Sequence, residues 1–265
     1  MTIYVIIVSY TTIRITTLWL EGVQMKLQHL YSLTRRAIDD YQMIQDGDKI
    51  AVGISGGKDS LTLLYALAGL RRFYPNHFDI EAVAVDLGFE GMDLSPIQSL
   101  CDDLNVNFTI EKTDIAEVVF KARKESNPCS LCAKMRKGAF NEVVQNLGCN
   151  KLAYAHHKDD VIETMLMSMI FEGHFYTFSP VTYLDRMNLT LIRPMIYVEE
   201  CDIKGFMKAY KLPVQKNPCP ADGYTKREYA KNLVKQLEKE NAGAKARLFH
   251  SIIEGTLPAW KKEVL

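Results

Sequence analysis

No stretch of about 18 consecutive apolar residues occurs in the chain, so no membrane span is expected. Nor is there an excess of charge of either sign. The 32 basic side chains meet 32 acidic ones, for a formal net charge of zero. Any contact with nucleic acid must therefore come from a local patch. Six cysteines in 265 residues are too few for a disulfide scaffold and suit a reducing, cytoplasmic setting. Neither G-x-x-x-x-G-K-[ST] nor G-x-G-x-x-G is present, which excludes two common phosphate loops. There is no internal repeat and no low-complexity segment. The apolar run Tyr4–Val8 has no cationic segment before it and no A-x-A-like site after it, so it is not read as a signal peptide. Residues 1–24 are read as an N-terminal extension, with Met25 the expected true start.

What the chain does have is Ser55-Gly56-Gly57-Lys58-Asp59-Ser60, between the apolar run ending Val52-Gly53-Ile54 and the helix-period run Leu61–Leu67. That is strand, glycine turn, helix. Two adjacent glycines give the turn access to positive φ, so that successive N–H groups can face one anion. The helix that follows adds its unpaired first-turn N–H groups and its positive dipole end. Asp59 offers a carboxylate for a magnesium ion beside a phosphate.

Around this loop, strands are expected at 49–55, 80–87, 107–112 and 151–157, alternating with helices at 60–73, 95–105, on both sides of Cys129, and at 159–171. A helix at 25–43 precedes them. The alternation implies an α/β fold with a mostly parallel, doubly wound sheet covered on both faces. Ligands of such sheets bind beyond the carboxyl ends of the strands, where Ser55, Asp86 and His157 should converge. After residue 173 the pattern changes to a hairpin over 178–194 with a polar tip at 185–188. Helices follow at 199–210, 225–241 and 242–254, the second opening on a Thr225-x-x-Glu228 capping box. The domains are read as 25–198, carrying the loop and Cys129-x-x-Cys132, and a helical region 199–265 carrying Cys219.

Cys129 and Cys132 are three apart and can ligate one metal or cluster. The third ligand expected is Cys219, held between Pro218 and Pro220. Structural zinc prefers four closed ligands, whereas a cluster held by three cysteines leaves one iron open. Cys101, Cys149 and Cys201 are read as small buried hydrophobes. Basic residues gather beside the pair, at Lys121, Arg123, Lys124, Lys134, Arg136 and Lys137, and again at Lys226, Arg227, Lys231 and Lys235. Both groups are solvated helix faces or phosphate-backbone contacts. Asp159-Asp160 opens a helix, where carboxylates gain roughly 0.3–1 kcal/mol from the dipole; at this sheet edge Asp160 is read as a magnesium or acceptor residue.

The six-residue loop resembles the pyrophosphate loop of the PP-loop ATP pyrophosphatases. The loop, the C-x-x-C with basic residues after it, His156-His157-Lys158-Asp159-Asp160, Ile192-Arg193-Pro194 leading to Glu199, and the late Cys219 occur in order. Together, from about Met25 to about Glu240, they resemble the tRNA 2-thiolation enzymes, most closely the tRNA 2-thiocytidine synthetases. Ala155 stands where that family usually has glycine, and Asp222 where it often has a further cysteine. Residues 219–223 look partly like the related thiouridine enzymes, whose terminal zinc-binding cysteine pairs this chain lacks.

The resemblance implies an ATP- and [4Fe-4S]-dependent sulfurtransferase acting on a tRNA pyrimidine, with cytidine the expected base. ATP would lie along Gly53, Ile54 and Ser55–Ser60, with its adenine near Val85, Asp86 and Ala155. Mg2+ would be held with Asp59 and Asp160, and Arg136 or Lys137 would stabilise developing charge. The implied partners are tRNA, a persulfide carrier or sulfide as sulfur donor, and a second copy of the chain in a homodimer. Rival readings are another PP-loop enzyme, such as a lysidine synthetase or an amide-forming ligase, and a non-catalytic iron–sulfur nucleotide sensor.

Overall fold

A computed structural model describes residues 26–89, 93–122, 128–215 and 226–255, without the side chains of residues 120–122 and Cys129. The first strand, β1 (Asp48–Gly53), opens on two charged residues and continues in the apolar run Ile50-Ala51-Val52, which is fully buried. That is the signature of a strand covered on both faces. β2 (Phe78–Asp86) repeats it, with residues 80–84 buried. β3 (Asn107–Lys112), β4 (Lys151–Ala153) and β6 (Leu189–Ile192) complete the parallel set. β5 (Val181–Leu184) pairs antiparallel with β6 at the edge. The strand order is β3-β2-β1-β4-β6-β5, so the mostly parallel sheet is as expected. The polar hairpin tip is a single 3-10 turn, Asp185–Met187, closed by Asn188 at φ 49°.

The leading helix α1 (26–40) buries Leu30, Thr34, Ala37 and Ile38 at helical spacing. α2 (Lys58–Leu70) buries nine of its residues, too many for a surface helix, so most of its circumference is core. α3 (Ser95–Asp103) carries Pro96 in its first turn, where proline's missing N–H costs nothing. A π-helical segment, Glu117–Ala122, precedes α4 (Pro128–Asn146). From α4, Phe140, Val143 and Val144 pack on Ala51, Val83, Leu152 and Leu191 of the sheet. Large apolar side chains buried in this way contribute about 1.5–3 kcal/mol each. After the sheet comes α6 (Glu200–Tyr210), anchored by Ile203 and Phe206.

The fourth strand is shorter than expected. β4 ends at Ala153, although the Tyr154 N–H still donates to the Ile192 carbonyl at 3.0 Å. β6, its neighbour on one side, itself stops at Ile192, while β1 on the other side runs one residue further, to Gly53.

The described residues form two compact units, 26–156 with 180–215, and 157–179 with 226–255. The second is helical: α5 (Lys158–Phe171), α7 (Lys226–Glu240) and α8 (Ala244–Glu254) pack pairwise. Val161, Ile162 and Leu166 on α5, Ala230 and Val234 on α7, and Phe249 on α8 are its buried apolar residues. The Thr225 capping box lies outside the described residues.

Candidate active site

The sheet order reverses at β1. The chain leaves β1 for β2 and β3 on one side, then returns to β4 on the other. In an open α/β sheet, the crevice beyond the carboxyl ends at such a switch point is where ligands bind. Residues 54–60 leave β1 there, and Tyr154, Ala155 and His156 leave β4 there. Val85 and Asp86 close β2, the next strand. Gly53, Ile54, Ser55–Ser60, Val85, Asp86 and Ala155 thus share one edge of the first unit. At the root of the loop, a Cβ on Gly53 would meet the Phe140 ring at 3.4 Å.

Within the loop the Ile54 N–H still reaches the Val83 carbonyl, at 2.8 Å. The hydroxyls then close a ring. The Gly57 N–H donates to Ser55 Oγ (3.3 Å), Ser55 Oγ donates to Ser60 Oγ (3.1 Å), and Ser60 Oγ donates to the Gly57 carbonyl (3.0 Å). Of the two glycines, only Gly56 takes a positive φ, +78°. Gly57 is extended, at φ −80° and ψ 163°, as the N-cap of α2. The turn therefore needs one left-handed residue, because the next must already be extended to enter the helix. The Gly56 carbonyl accepts from the Gln215 N–H at 2.9 Å, tying the loop to the chain beyond α6.

Lys58 projects from the first turn of α2. Its ammonium meets both Asp59 oxygens, at 2.9 and 3.0 Å, and Glu200 at 3.3 Å. Burial pulls this ammonium down, but its bonds to Asp59 and Glu200 more than offset that and leave it above the usual lysine range. A magnesium ion on Asp59 would have to compete with Lys58. Sequence reasoning missed Glu200: it is one of two adjacent glutamates at the start of α6, and nothing local ties it to the loop.

Arg193, just past β6, is buried. Its Nε donates to His156 Nδ1 at 3.1 Å and its NH1 donates to Thr182 Oγ1 at 3.2 Å. A guanidinium only donates, so His156 Nδ1 accepts, and a neutral ring carries its proton on Nε2. Tyr154 stands edge-on to His156 at 5.9 Å. Burial raises its phenol, while the charges of Arg136 and Arg193 act against this.

Arg136 lies on α4, as do Cys129 and Cys132 in that helix's first turns. Cys132, Arg136 and Phe140 are four apart and so share a helix face, the face whose Phe140 packs 6.5 Å from Tyr154. Cys132 is half-buried, while Arg136 and Lys137 are exposed. The Cys129 side chain and all of Cys219 lie outside the described residues, as do Arg123 and Lys124 and the Lys121 side chain. Among the described residues no group of three His, Cys, Asp or Glu is arranged to hold a metal. Cys101 and Cys149 are buried as expected, and burial pushes their thiols up to about 12 and about 11. Cys201 is exposed, contrary to the sequence reading. α6 turns Ile203 and Phe206 inward, leaving Cys201 on the outer side.

Asp160 belongs to the second unit, at the start of α5. One oxygen accepts from the His157 N–H at 3.0 Å, and the other accepts from Arg227 at 2.9 Å. Asp159 pairs with Lys245 at 2.6 Å. Buried Glu163 also faces Arg227, at 3.4 Å. Burial and the like charge of Asp160 push its carboxyl up to about 7, against the pull of Arg227 and Lys231. Arg227 and Lys245 carried no signal in the sequence that linked them to the Asp159-Asp160 pair.

No helix of the described residues is long and apolar enough to cross a membrane. Residues 22–237 match the PP-loop domain family. The tRNA-cytidine(32) 2-sulfurtransferase of Geobacter sulfurreducens is 39% identical over 220 residues, covering 82% of this chain and 86% of that protein. That of Syntrophotalea carbinolica is 40% identical over 211 residues, covering 78% and 82%. Among solved structures, the U34-tRNA thiolase NcsA from Methanococcus maripaludis, with its [4Fe-4S] cluster, superposes with a TM-score of 0.71 at 23% identity. That match covers 88% of this chain and 80% of the thiolase. The chain belongs to the PP-loop domain family, which it shares with the tRNA-cytidine(32) 2-sulfurtransferases.

Proposed function

We propose that this protein is an ATP- and iron–sulfur-dependent tRNA sulfurtransferase that replaces the 2-oxo group of a pyrimidine, cytidine, with sulfur. The observation that carries the reading is helix α4. It holds Cys132 and Arg136 on the face whose Phe140 packs against the root of the phosphate loop. The names and coverage of the relatives support the same reading.

In this reading Ser55–Ser60 receives the pyrophosphate of ATP, with the first-turn N–H groups of α2 and the charge of Lys58 as its partners. The adenine lies toward Val85, Asp86 and Ala155, with Gly53 and Ile54 at the base. Asp59 and Asp160 are the carboxylates assigned to magnesium. The 2-oxo oxygen of the base attacks the α-phosphorus, and pyrophosphate leaves. Arg136 or Lys137 stabilises the charge that develops. Sulfide then adds at C2, and AMP departs with the original oxygen.

The donor set fits a cluster. Cys129 and Cys132 are three apart at the N-terminal end of α4, where the helix dipole favours thiolates. Cys219 is the third ligand assigned. When bound, the cluster would supply an iron free of protein ligands for sulfur. The sulfur comes from sulfide, or from a persulfide carrier whose outer sulfur a thiol releases as sulfide while forming a disulfide, and the reading includes a homodimer in the cytoplasm.

The test is anaerobic iron counting together with a thionucleoside assay on alanine variants. Cys129→Ala, Cys132→Ala and Cys219→Ala should each lose iron and thiolation while still binding ATP. Asp59→Ala should keep its iron and lose AMP formation. Native protein holding zinc without iron, or Cys219→Ala with full iron, would overturn the assignment.

A further inference from the structure

Six of the ten exposed large hydrophobic side chains among the described residues gather in one part of the second unit: Met169, Ile170, Phe171, Phe175, Tyr176 and Tyr229. Single exposed apolar residues need no explanation, but a contiguous patch marks a partner. We propose that this patch is a stacking surface for unpaired bases of the RNA substrate, with Phe171, Phe175, Tyr176 and Tyr229 as its rings and Lys226 as its phosphate contact. The proposal rests on the tRNA reading above.

The display is built rather than frayed. Ser168 Oγ, buried in α5, donates to the Tyr176 carbonyl at 2.8 Å and accepts from the Tyr176 N–H at 3.0 Å. Thr177 Oγ1 then donates to the Val161 carbonyl at 3.0 Å. The backbone on the far side of Phe175 is thus pinned to α5, while Phe175 remains 68% exposed and Tyr176 54%. On α7, Tyr229 stands edge-on to Phe171 at 5.7 Å. Rings held in place before binding lose little entropy when a base stacks on them.

The choice of RNA over a protein partner comes from the ammonium of Lys226 on the rings. Lys226 Nζ sits 5.1 Å over the Phe171 ring. Arg227 on the same helix is turned to Asp160 and Glu163, and Lys231 acts on Glu163, so Lys226 is the cation shown on these rings. Exposed aromatic faces beside an ammonium group are the kind of surface on which single-stranded nucleic acid stacks and sets its phosphates. A surface for a second copy of the chain would not need the cation.

The experiment measures binding of a substrate tRNA transcript to the full-length protein across a salt series, with sedimentation run in parallel. Phe175→Ala and Tyr229→Ala should each weaken binding about 5- to 100-fold, as loss of one base–ring stack does. Neither should change the salt slope, and Phe175→Tyr should retain binding. Lys226→Ala should reduce the salt slope by about one. ATP binding, measured without tRNA, should be unchanged in all four. Unaltered tRNA affinity in Phe175→Ala and Tyr229→Ala overturns the proposal. So does a double variant that falls from dimer to monomer while keeping its affinity per copy, since the patch would then seat a second chain. If the unmodified protein binds no tRNA at all, the functional reading fails first and the surface with it.

Discussion

Gly56→Ala tests the loop at its one left-handed residue. At φ +78° an added Cβ crowds the following carbonyl, at about 1–2 kcal/mol. The new methyl would also sit 3.2 Å from Gln215 Cβ, so that neighbour must shift by a few tenths of an ångström. Alanine's smaller unfolded-state entropy returns about 0.4–1 kcal/mol. The net loss is about 1 kcal/mol, or a fall in Tm of about 2–4 °C for a chain of this size. Gly57→Ala is the internal control. At φ −80° it is unstrained, and its Cβ would meet Ser55 Oγ at an ordinary 3.4 Å. Its only cost is a poorer N-cap, about 0.5–1 kcal/mol, which the entropy gain of about 0.4–1 kcal/mol largely cancels. Gly56→Asn should fall between the two, because asparagine tolerates the left-handed region. The assay is urea and thermal unfolding of ligand-free protein, where no anion contact enters. Equal losses in both alanine variants, or a Gly56→Ala that melts with the parent, would refute this account of the turn.

Glu163→Gln should reveal a pH-dependent cost. With its folded pKa near 7 and the unfolded value near 4.3, the folded state holds this proton more tightly. Its stabilising effect is present below about pH 4.3 and is lost as pH rises to about 7. The glutamine variant, a mimic of the protonated form, should therefore be more stable than the parent at pH 8, by about 1–3 kcal/mol, with the gap closing toward pH 4.5. Urea unfolding at several pH values reads this, and a gap constant with pH would contradict it. Arg136→Ala and Lys137→Ala should lower the single-turnover rate more than tRNA affinity; unchanged chemistry with a smaller salt slope would make them backbone contacts instead.

Much of the site could be read from the sequence because it is local. The loop hexapeptide, β3 at Asn107–Lys112 and the start of α5 are fixed by residues within a turn of one another. What could not be read is what depends on distant partners. Lys58 on α2 finds Glu200 on α6, where the two helices pack, and Arg193 finds His156 past the end of the neighbouring strand β4. Arg227 reaches Asp160 and Glu163 between helices far apart in sequence. None of these pairs leaves a periodic trace. Cys201 shows the same limit on a smaller scale: its neighbours are apolar enough to suggest burial, but the orientation of α6 decides its exposure.

The central claim is that cleavage of ATP to AMP and pyrophosphate and insertion of sulfur are one reaction on tRNA. The direct measurement incubates anaerobically reconstituted protein with tRNA transcript, ATP, magnesium and sulfide. The tRNA is then digested to nucleosides for mass spectrometry while AMP and pyrophosphate are quantified. The account predicts 2-thiocytidine in amounts equal to AMP and pyrophosphate, and none without ATP. Thionucleoside formed without ATP, or AMP and pyrophosphate released with no sulfur in the tRNA, would contradict it.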